Sequence, residues 1–463
     1  MKKDYLEMMR KGEPLGLSHL LFMTIKLSIP TILAQISIII MEFADAAMVG
    51  RLGGNATASI GLVATSTWLF GGMLNASNLG FSVQVSQYIG AGDERSARRV
   101  MKLGLISVTV FSSALALIGA AIHAYLPQWL GGEETIVHDA SMYFLIFCLS
   151  LPITQFNSYC ASMLQAGGNM RTPGILEVLM CFMNIGFNYI FIFVLSLGVS
   201  GAALGTALSE LVIAVPMGFF LYAKAPMLKY VKGEKNELRL SELKRAVKIA
   251  IPVAFEQAVM CSAQITATKI VAPLGSVSIA ANSLAVTAES LCYMPGYGIC
   301  VAASTMTGQS IGAKRDDIRG KLSWITVGFG MAVMTVTGVG LFVFSDFIMQ
   351  LLTPVKDISS LGAGVLRIEA FAEPLFAASI VASGVFRGAG DTFVPSIMNL
   401  FSMWAVRIPL SAFLAPRLGL RGVWIAMCIE LCVRGALFLI RLYIKTRKLK
   451  KPENGKKEAA VSR

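Results

Sequence analysis

Charge is what this chain has least of. Lysine, arginine, aspartate and glutamate together make up 14% of its 463 residues, while 55% are hydrophobic. A soluble domain carries about 25% charged residues, so too little polar surface exists here to cover a water-soluble core. Histidine is scarcer still. His19, His123 and His138 are scattered near the ends of apolar runs and suggest no zinc cluster. No His-Glu-x-x-His and no phosphate-binding glycine loop is present. Metalloprotease and nucleotide-driven readings are thereby removed. The eight cysteines all lie inside apolar runs; Cys428 and Cys432 share a helix face without further ligands. They read as small packing residues, not as disulfides or a metal site. No cleavable signal is expected either, because the start is charged and the first apolar run, 20–47, is too long for a signal core.

What is present is apolar length. Mean hydropathy is +0.67, and runs of the ~20 residues needed to span a bilayer recur from 20–47 to 420–443. Six fall before residue 225 and six after residue 244. The expected fold is an all-α polytopic membrane protein with twelve transmembrane helices. The net charge of +13 could suggest a nucleic-acid partner, but its placement argues otherwise. Arg95, Arg98, Arg99 and Lys102, the stretch from Lys224 to Lys248, Lys314, Arg315, Arg319 and Lys321, and the tail from Arg441 hold the positive residues. The alternate loops are poor in them. That asymmetry follows the positive-inside rule and places both termini in the cytoplasm, with the chain in the inner or plasma membrane and no nucleic acid bound.

The chain also repeats itself. A shift of 222 positions carries Ile29-Pro30 onto Ile251-Pro252, Gln87 onto Gln309 and Pro173 onto Pro395. So long a period marks a duplicated lobe and not a solenoid. Six spans per copy return each lobe to the same side, so the repeat is of the parallel type found in transporters. The division expected is an N-lobe over 1–224, a charged linker over 225–244, a C-lobe over 245–443 and a basic tail over 444–463.

Ionisable groups inside spans cost ~2.5–3.5 kcal/mol each on insertion scales and tend to be functional. In the N-lobe these are Asp45, Glu177 and Glu210. Asp45 lies roughly 8 Å below the outer end of its span, taking ~1.5 Å per residue. Thr206 and Asn188 reach a similar level on two other spans. Glu177, Cys181, Asn184 and Asn188 follow one helical stripe. A polar cavity inside the lobe is the simplest reading. The repeat places Ala267 opposite Asp45, so the lobe scaffold does not require that acid. A coupling-ion role follows for Asp45, and a sodium ion would sit there if one binds. The C-lobe offers a second set: Glu256 and Glu289 near the midplane, Glu369, Glu373, Arg407, and Glu430 with Arg434. Arg407 and Arg434 are expected to pair with Glu373 and Glu430.

Four stretches carry a resemblance: DAAMVGRLGG (45–54), QVSQYIGAGD (84–93), ESLCYMPGYG with VAASTMTGQSIGA (289–313) and GVFRGAGDT (384–392). In this order they resemble the multidrug and toxic compound extrusion (MATE) family, most nearly its DinF-like prokaryotic branch. The resemblance implies two six-helix lobes around a central cleft. It also implies a secondary active efflux antiporter, exporting organic cations or toxic amphiphiles in exchange for protons or sodium ions, acting as a monomer and needing no cofactor. In that branch a span-1 aspartate, a span-5 asparagine and aspartate, and a span-6 threonine form an ion site. Asp45, Asn184 and Thr206 match, and Asn188 stands where the branch has an acid. The acids another branch uses in spans 7 and 10 are replaced by Met260 and Phe376.

Two further readings stand beside it. A lipid-linked-precursor flippase of the same superfamily would want a basic cleft, whereas the mid-membrane excess here is acidic. The GxGD sequences at Gly90–Asp93 and Gly388–Asp391 occur in intramembrane aspartyl proteases, which also need a second aspartate on a facing helix, but no Tyr-Asp pair exists here. Both suit a helix stop and turn, and the chain is not expected to be an enzyme.

Overall fold

The computed structural model describes residues 5–231, 234 and 239–449, and the described residues are almost wholly helical. The first six membrane helices are α1 (Leu17–Gly50), α2 (Gly54–Gly90), α3 (Glu94–Ile122), α4 (Glu134–Ala166), α5 (Arg171–Val194) and α6 (Gly198–Lys224). The second six are α7 (Leu240–Leu274), α8 (Ser276–Gly312), α9 (Asp316–Leu352), α10 in two pieces (Lys356–Glu369 and Glu373–Gly388), α11 (Phe393–Leu418) and α12 (Leu420–Leu449). Ten are long and apolar enough to cross a membrane on those grounds alone. The other two are α8, which is 37 residues long but more polar, and the broken α10. Helix α7 begins inside the 225–244 segment, and α12 continues to Leu449; of the expected tail, 450–463 lies outside the described residues.

Proline explains the irregularities. Pro374 has no N–H for the carbonyl of Ala370, and its ring would meet that carbonyl, so α10 breaks at Ala370–Ala372. In α11 the turn before Pro409 opens to π geometry over Ser402–Arg407. Pro30, Pro252, Pro216 and Pro295 lie inside continuous helices, as membrane helices tolerate. Both GxGD stretches are helix ends. Gly92 and Gly390 take positive φ (74° and 75°), which glycine adopts without cost. Asp93 then caps α3 by accepting from the Ser96 N–H at 3.0 Å.

Helices α1–α6 pack into one lobe and α7–α12 into another, each around its own core. In the first, Tyr159 is fully buried and donates its hydroxyl to the Met101 carbonyl at 2.6 Å. The lobes meet where α1 crosses α8 and α2 crosses α7 and α8. With lipid as apolar as the side chains, such crossings depend on close packing of small residues. A Cβ on Gly90 would fall 2.1 Å from the Gln309 carbonyl oxygen, and one on Gly312 would fall 1.9 Å from that of Gln87. The repeat superposes these two pairs. They seal the lobes together at the end of the bundle that carries Arg95, Arg98, Arg99, Lys314 and Arg315, called here the basic end. A short helix, Tyr5–Arg10, is wedged into the same seam. Its buried Leu6 and Met9 pack among Met170, Met306, Ile318 and Leu322, and Arg315 donates to the Glu13 carbonyl at 2.9 Å.

Candidate functional site

Four of the sequence-predicted residues form one hydrogen-bonded chain through the first lobe. Asn188 on α5 donates Nδ2 to Asp45 Oδ1 on α1 at 2.6 Å and to Asn184 Oδ1 at 3.1 Å. Asn184 donates in turn to Thr206 Oγ1 on α6 at 3.0 Å, and Thr206 donates to the Ala202 carbonyl at 3.1 Å. Both asparagines are fully buried, and Asp45 is partly so. The stripe on α5 directs both amides at the same neighbours because they stand four residues apart. Helix α6 can approach only because position 205 is glycine: a Cβ there would lie 1.9 Å from Asn188 Oδ1. That oxygen is buried and has no hydrogen-bond donor among the described residues.

Glu210 and Glu177 belong to a neighbouring group. Asn157 on α4 donates to Glu210 Oε2 at 2.6 Å, and Glu177 lies within electrostatic reach of Glu210. Asn157 was not singled out in the sequence, although an amide in an apolar run was the available signal. Glu42 was also passed over. It lies one turn before Asp45 on α1, close enough to act on it electrostatically, and also near Tyr293 of α8.

The second lobe is arranged differently from the expectation. Arg434 and Glu430 do pair, with two hydrogen bonds at 2.7 and 2.8 Å inside the lobe, and Ser402 also donates to Glu430. Arg407 does not pair with Glu373. Its Nη2 points at the Met427 sulfur at 2.7 Å, and its buried Nε has no partner. Glu373, which begins the second piece of α10, lies beside Cys292 of α8, whereas Glu289 and Glu369 lie within electrostatic reach of Arg407 without bonding it. Glu289, Glu369 and Glu373 are all buried, lie within electrostatic reach of one another, and have no ion-pair partner among the described residues. Glu256 is held instead by neutral donors on α11, Ser396 and Asn399, each at 2.6 Å.

Between the lobes lies a cavity of about 640 Å³. Its floor, at Ser86, Ala166 and Ser304, adjoins the sealed basic end. Trp68 on its wall is 61% exposed, so the cavity opens away from that end. Of the ionisable residues singled out in the sequence, Glu256 and Arg434 line it; Asp45, its three partners, Glu177, Glu210, Glu289, Glu369, Glu373, Arg407 and Glu430 do not. The acidic mid-membrane excess is therefore inside the lobes and not on the cleft wall. That wall carries Glu256, Arg387 and Arg434 from the second lobe, and no charged described residue from the first.

Comparison with known proteins agrees with this architecture. The MatE family model matches twice, over residues 30–190 and 252–413, one copy per lobe. A probable multidrug resistance protein NorM from Thermotoga maritima is 26% identical over 438 residues, covering 90% of each chain. An uncharacterized transporter, YisQ, from Bacillus subtilis is 24% identical, covering 87% of this chain and 89% of that one. Among solved structures, a MATE-family transporter in an outward-facing conformation superposes with a TM-score of 0.90 at 20% identity, over 98% of this chain and all of that one. The Vibrio cholerae MATE transporter VcmN in its bent form gives 0.86 at 20% identity, over 94% and 98%. The twice-matched model, the full-length relatives and the two-lobe fold identify the chain as a member of the MATE family of multi-pass membrane transporters, and not an enzyme.

Proposed function

We propose that the protein is an efflux antiporter in which Asp45 carries the coupling ion and the cleft carries the substrate. The observation that supports this most is the separation of the two. Asp45 sits in a hydrogen-bonded chain inside one lobe, while the cavity lies between lobes, and α1 borders both through Asp45 and Gln35. A single carboxylate among neutral amides carries one charge, which one proton or one sodium ion neutralises. The proton fits the amide better. Asn188 Oδ1 lacks a donor, and a protonated Asp45 supplies one, closing an acid–amide pair. Loss of that proton leaves the oxygen unsatisfied again, at a cost of ~1–3 kcal/mol, and biases the lobe toward another shape. Coupling needs this differential: a ligand shifts an equilibrium only by its difference in affinity for the two states.

The basic end faces the cytoplasm by the positive-inside rule, so the cavity opens outward in this state. Protons enter at Asp45 from outside as substrate leaves, and both ligands favour opposite arrangements of the seam. The substrates are organic cations or amphiphiles of drug size, and the unit of function is the monomer. Glu289, Glu369 and Glu373 form a second cation-binding candidate in the other lobe.

The test is reconstitution in liposomes with a pH gradient or a sodium gradient applied separately, following a fluorescent organic cation. Export driven by the pH gradient and abolished in Asp45→Asn is the expected result. Export driven only by sodium, or undiminished in that variant, overturns the proton assignment.

A further inference from the structure

The first lobe contains the same acid–amide arrangement twice. Asn188 donates Nδ2 to Asp45 at 2.6 Å, and its own Oδ1 has no donor among the described residues. Asn157 on α4 treats Glu210 on α6 in the same way. Its Nδ2 donates to Glu210 Oε2 at 2.6 Å, and its Oδ1 likewise has no donor among the described residues. Asn157 is 2% exposed, so that oxygen is cut off from bulk water. An ionised Glu210 offers it nothing, since a carboxylate only accepts. A proton on Glu210 supplies the missing donor. A glutamine at 210 would serve both ends of the amide with no proton and no charge inside the membrane, so packing alone does not explain an acid there. The duplication points the same way. It places Ser379 opposite Asn157 and Asn399 opposite Glu177, so the lobe scaffold requires neither.

This second pair lies between Asp45 and the basic end. Helix α5 starts at that end, and Glu177 precedes Asn188 by eleven residues, roughly 16 Å at ~1.5 Å per residue. Helix α6 runs the other way, and Glu210 follows Thr206 by one turn toward the same end. Asn157 fixes the level, because its Nδ2 also lies 3.9 Å from the Met180 sulfur of α5. Cys181, beside Met180, is within electrostatic reach of Asp45, and Glu177, one turn below it, is within reach of Glu210. No lysine, arginine or histidine among the described residues pairs with either glutamate. A proton is therefore the cation at hand to offset their mutual repulsion. Asp45, Glu177, Thr206 and Glu210 each keep partial accessibility, which leaves room for a water molecule beside every one of them.

We propose that Glu210, held by Asn157 and flanked by Glu177, is the inward proton-release station for Asp45. The proton leaves the Asp45 carboxyl for a water molecule, and that water gives a proton to the Glu210 carboxylate. Asp45 becomes charged, and neutral Glu210 donates to Asn157 Oδ1. Glu210 then returns to the carboxylate by passing its proton through Glu177 to water at the basic end. One proton has moved inward and none is retained. This rests on the reading of Asp45 as the proton-loading acid; it adds that loading and release are performed by different carboxyls.

Glu210→Gln is the informative variant, because it keeps a partner for both ends of the Asn157 amide. Its thermal unfolding in detergent should match that of the parent. The full-length protein is reconstituted in liposomes with ethidium as the probe. Export driven by a pH gradient should fall about 100-fold, the usual share of a positioned proton carrier. Proton entry, followed with a trapped pH dye, should fall in step. Exchange of ethidium across the membrane without a gradient moves no net proton and should keep the parental rate. Glu210→Asp should recover part of the driven export. Driven export undiminished in Glu210→Gln, or exchange lost together with it, would overturn the proposal. Asp45→Asn is measured beside it. Parental export in Asp45→Asn sinks the loading assignment; loss there with full export in Glu210→Gln sinks the release station alone.

Discussion

Gln87 and Gln309 hold opposite lobes with the same bond. Gln87 Nε2 donates to the Gly388 carbonyl at 3.1 Å, and Gln309 Nε2 donates to the Ala166 carbonyl at 2.8 Å. The internal repeat carries Gln87 onto Gln309 and Ala166 onto Gly388, so the two bonds are one contact made twice about the pseudo-twofold axis. With the glycine contacts beside them, they form a two-fold symmetric closure of the basic end. A symmetric closure of this kind separates as a unit, which suits a gate.

Gly312→Leu places side-chain atoms where the Gln87 backbone now sits, 1.9 Å from a Cβ at that position. The variant should fold each lobe normally and fail to close the seam. Electron–electron distance measurements between spin labels at Arg95 and Lys314 should show a longer, broader distribution than in the parent. An unchanged distribution would show that this contact does not govern closure.

Asn188→Leu removes the donor to Asp45 and fills the same volume. A hydrogen bond to a charged group contributes ~1.5–3 kcal/mol, so ion-driven transport should fall about 10–100-fold. Dye binding in the cleft should be unaffected, because Asn188 does not line it. Equal loss of both activities would indicate general damage to the lobe.

Arg434→Met strands the buried Glu430 carboxylate, and loss of one partner of a buried pair costs ~3–5 kcal/mol. Thermal unfolding in detergent should shift down markedly. The double variant Glu430→Met with Arg434→Met should recover most of that loss, as apolar replacements of buried pairs often do. A double variant no more stable than the single one would show that the pair is needed for something beyond mutual neutralisation.

Outside the membrane, Arg98 holds Glu234 and the Met227 carbonyl in the segment before α7. It donates to both oxygens of Glu234 at 3.0 Å, and this bond keeps the Glu234 carboxyl below its ordinary range. A lowered carboxylate stabilises the fold above its unfolded value and loses that contribution as pH falls through the folded one. Protease cleavage of the segment should therefore rise only in acid, below the ordinary carboxylate range. Glu234→Gln should raise it at neutral pH by a small margin, as expected of a pair that remains near solvent.

Much of this was legible in the chain itself. The duplication is visible because equal lobes keep equal spacing of Gln87, Gly90 and Pro173 with their mates. The cluster at Asp45 is visible because helical depth is countable: residues at one level on adjacent spans can meet, and Asn184, Asn188 and Thr206 do. The break in α10 was not legible, since Pro374 has a counterpart, Pro152, that sits in an unbroken helix. Glu373 starts the helix beyond that break beside Cys292 of α8, and the expected pairing with Arg407 failed. Arg387 was hidden for another reason. It falls inside a turn motif, where an arginine reads as a helix-end charge, and only the assembled lobes place it on a cavity wall.

The helix Tyr5–Arg10 has a practical corollary. It is inserted like a shim between the two lobes, with Met9 fully enclosed. A fluorophore or affinity handle attached at Tyr5 thus hangs from the seam itself. It would report opening directly, and a bulky one would hold the halves apart.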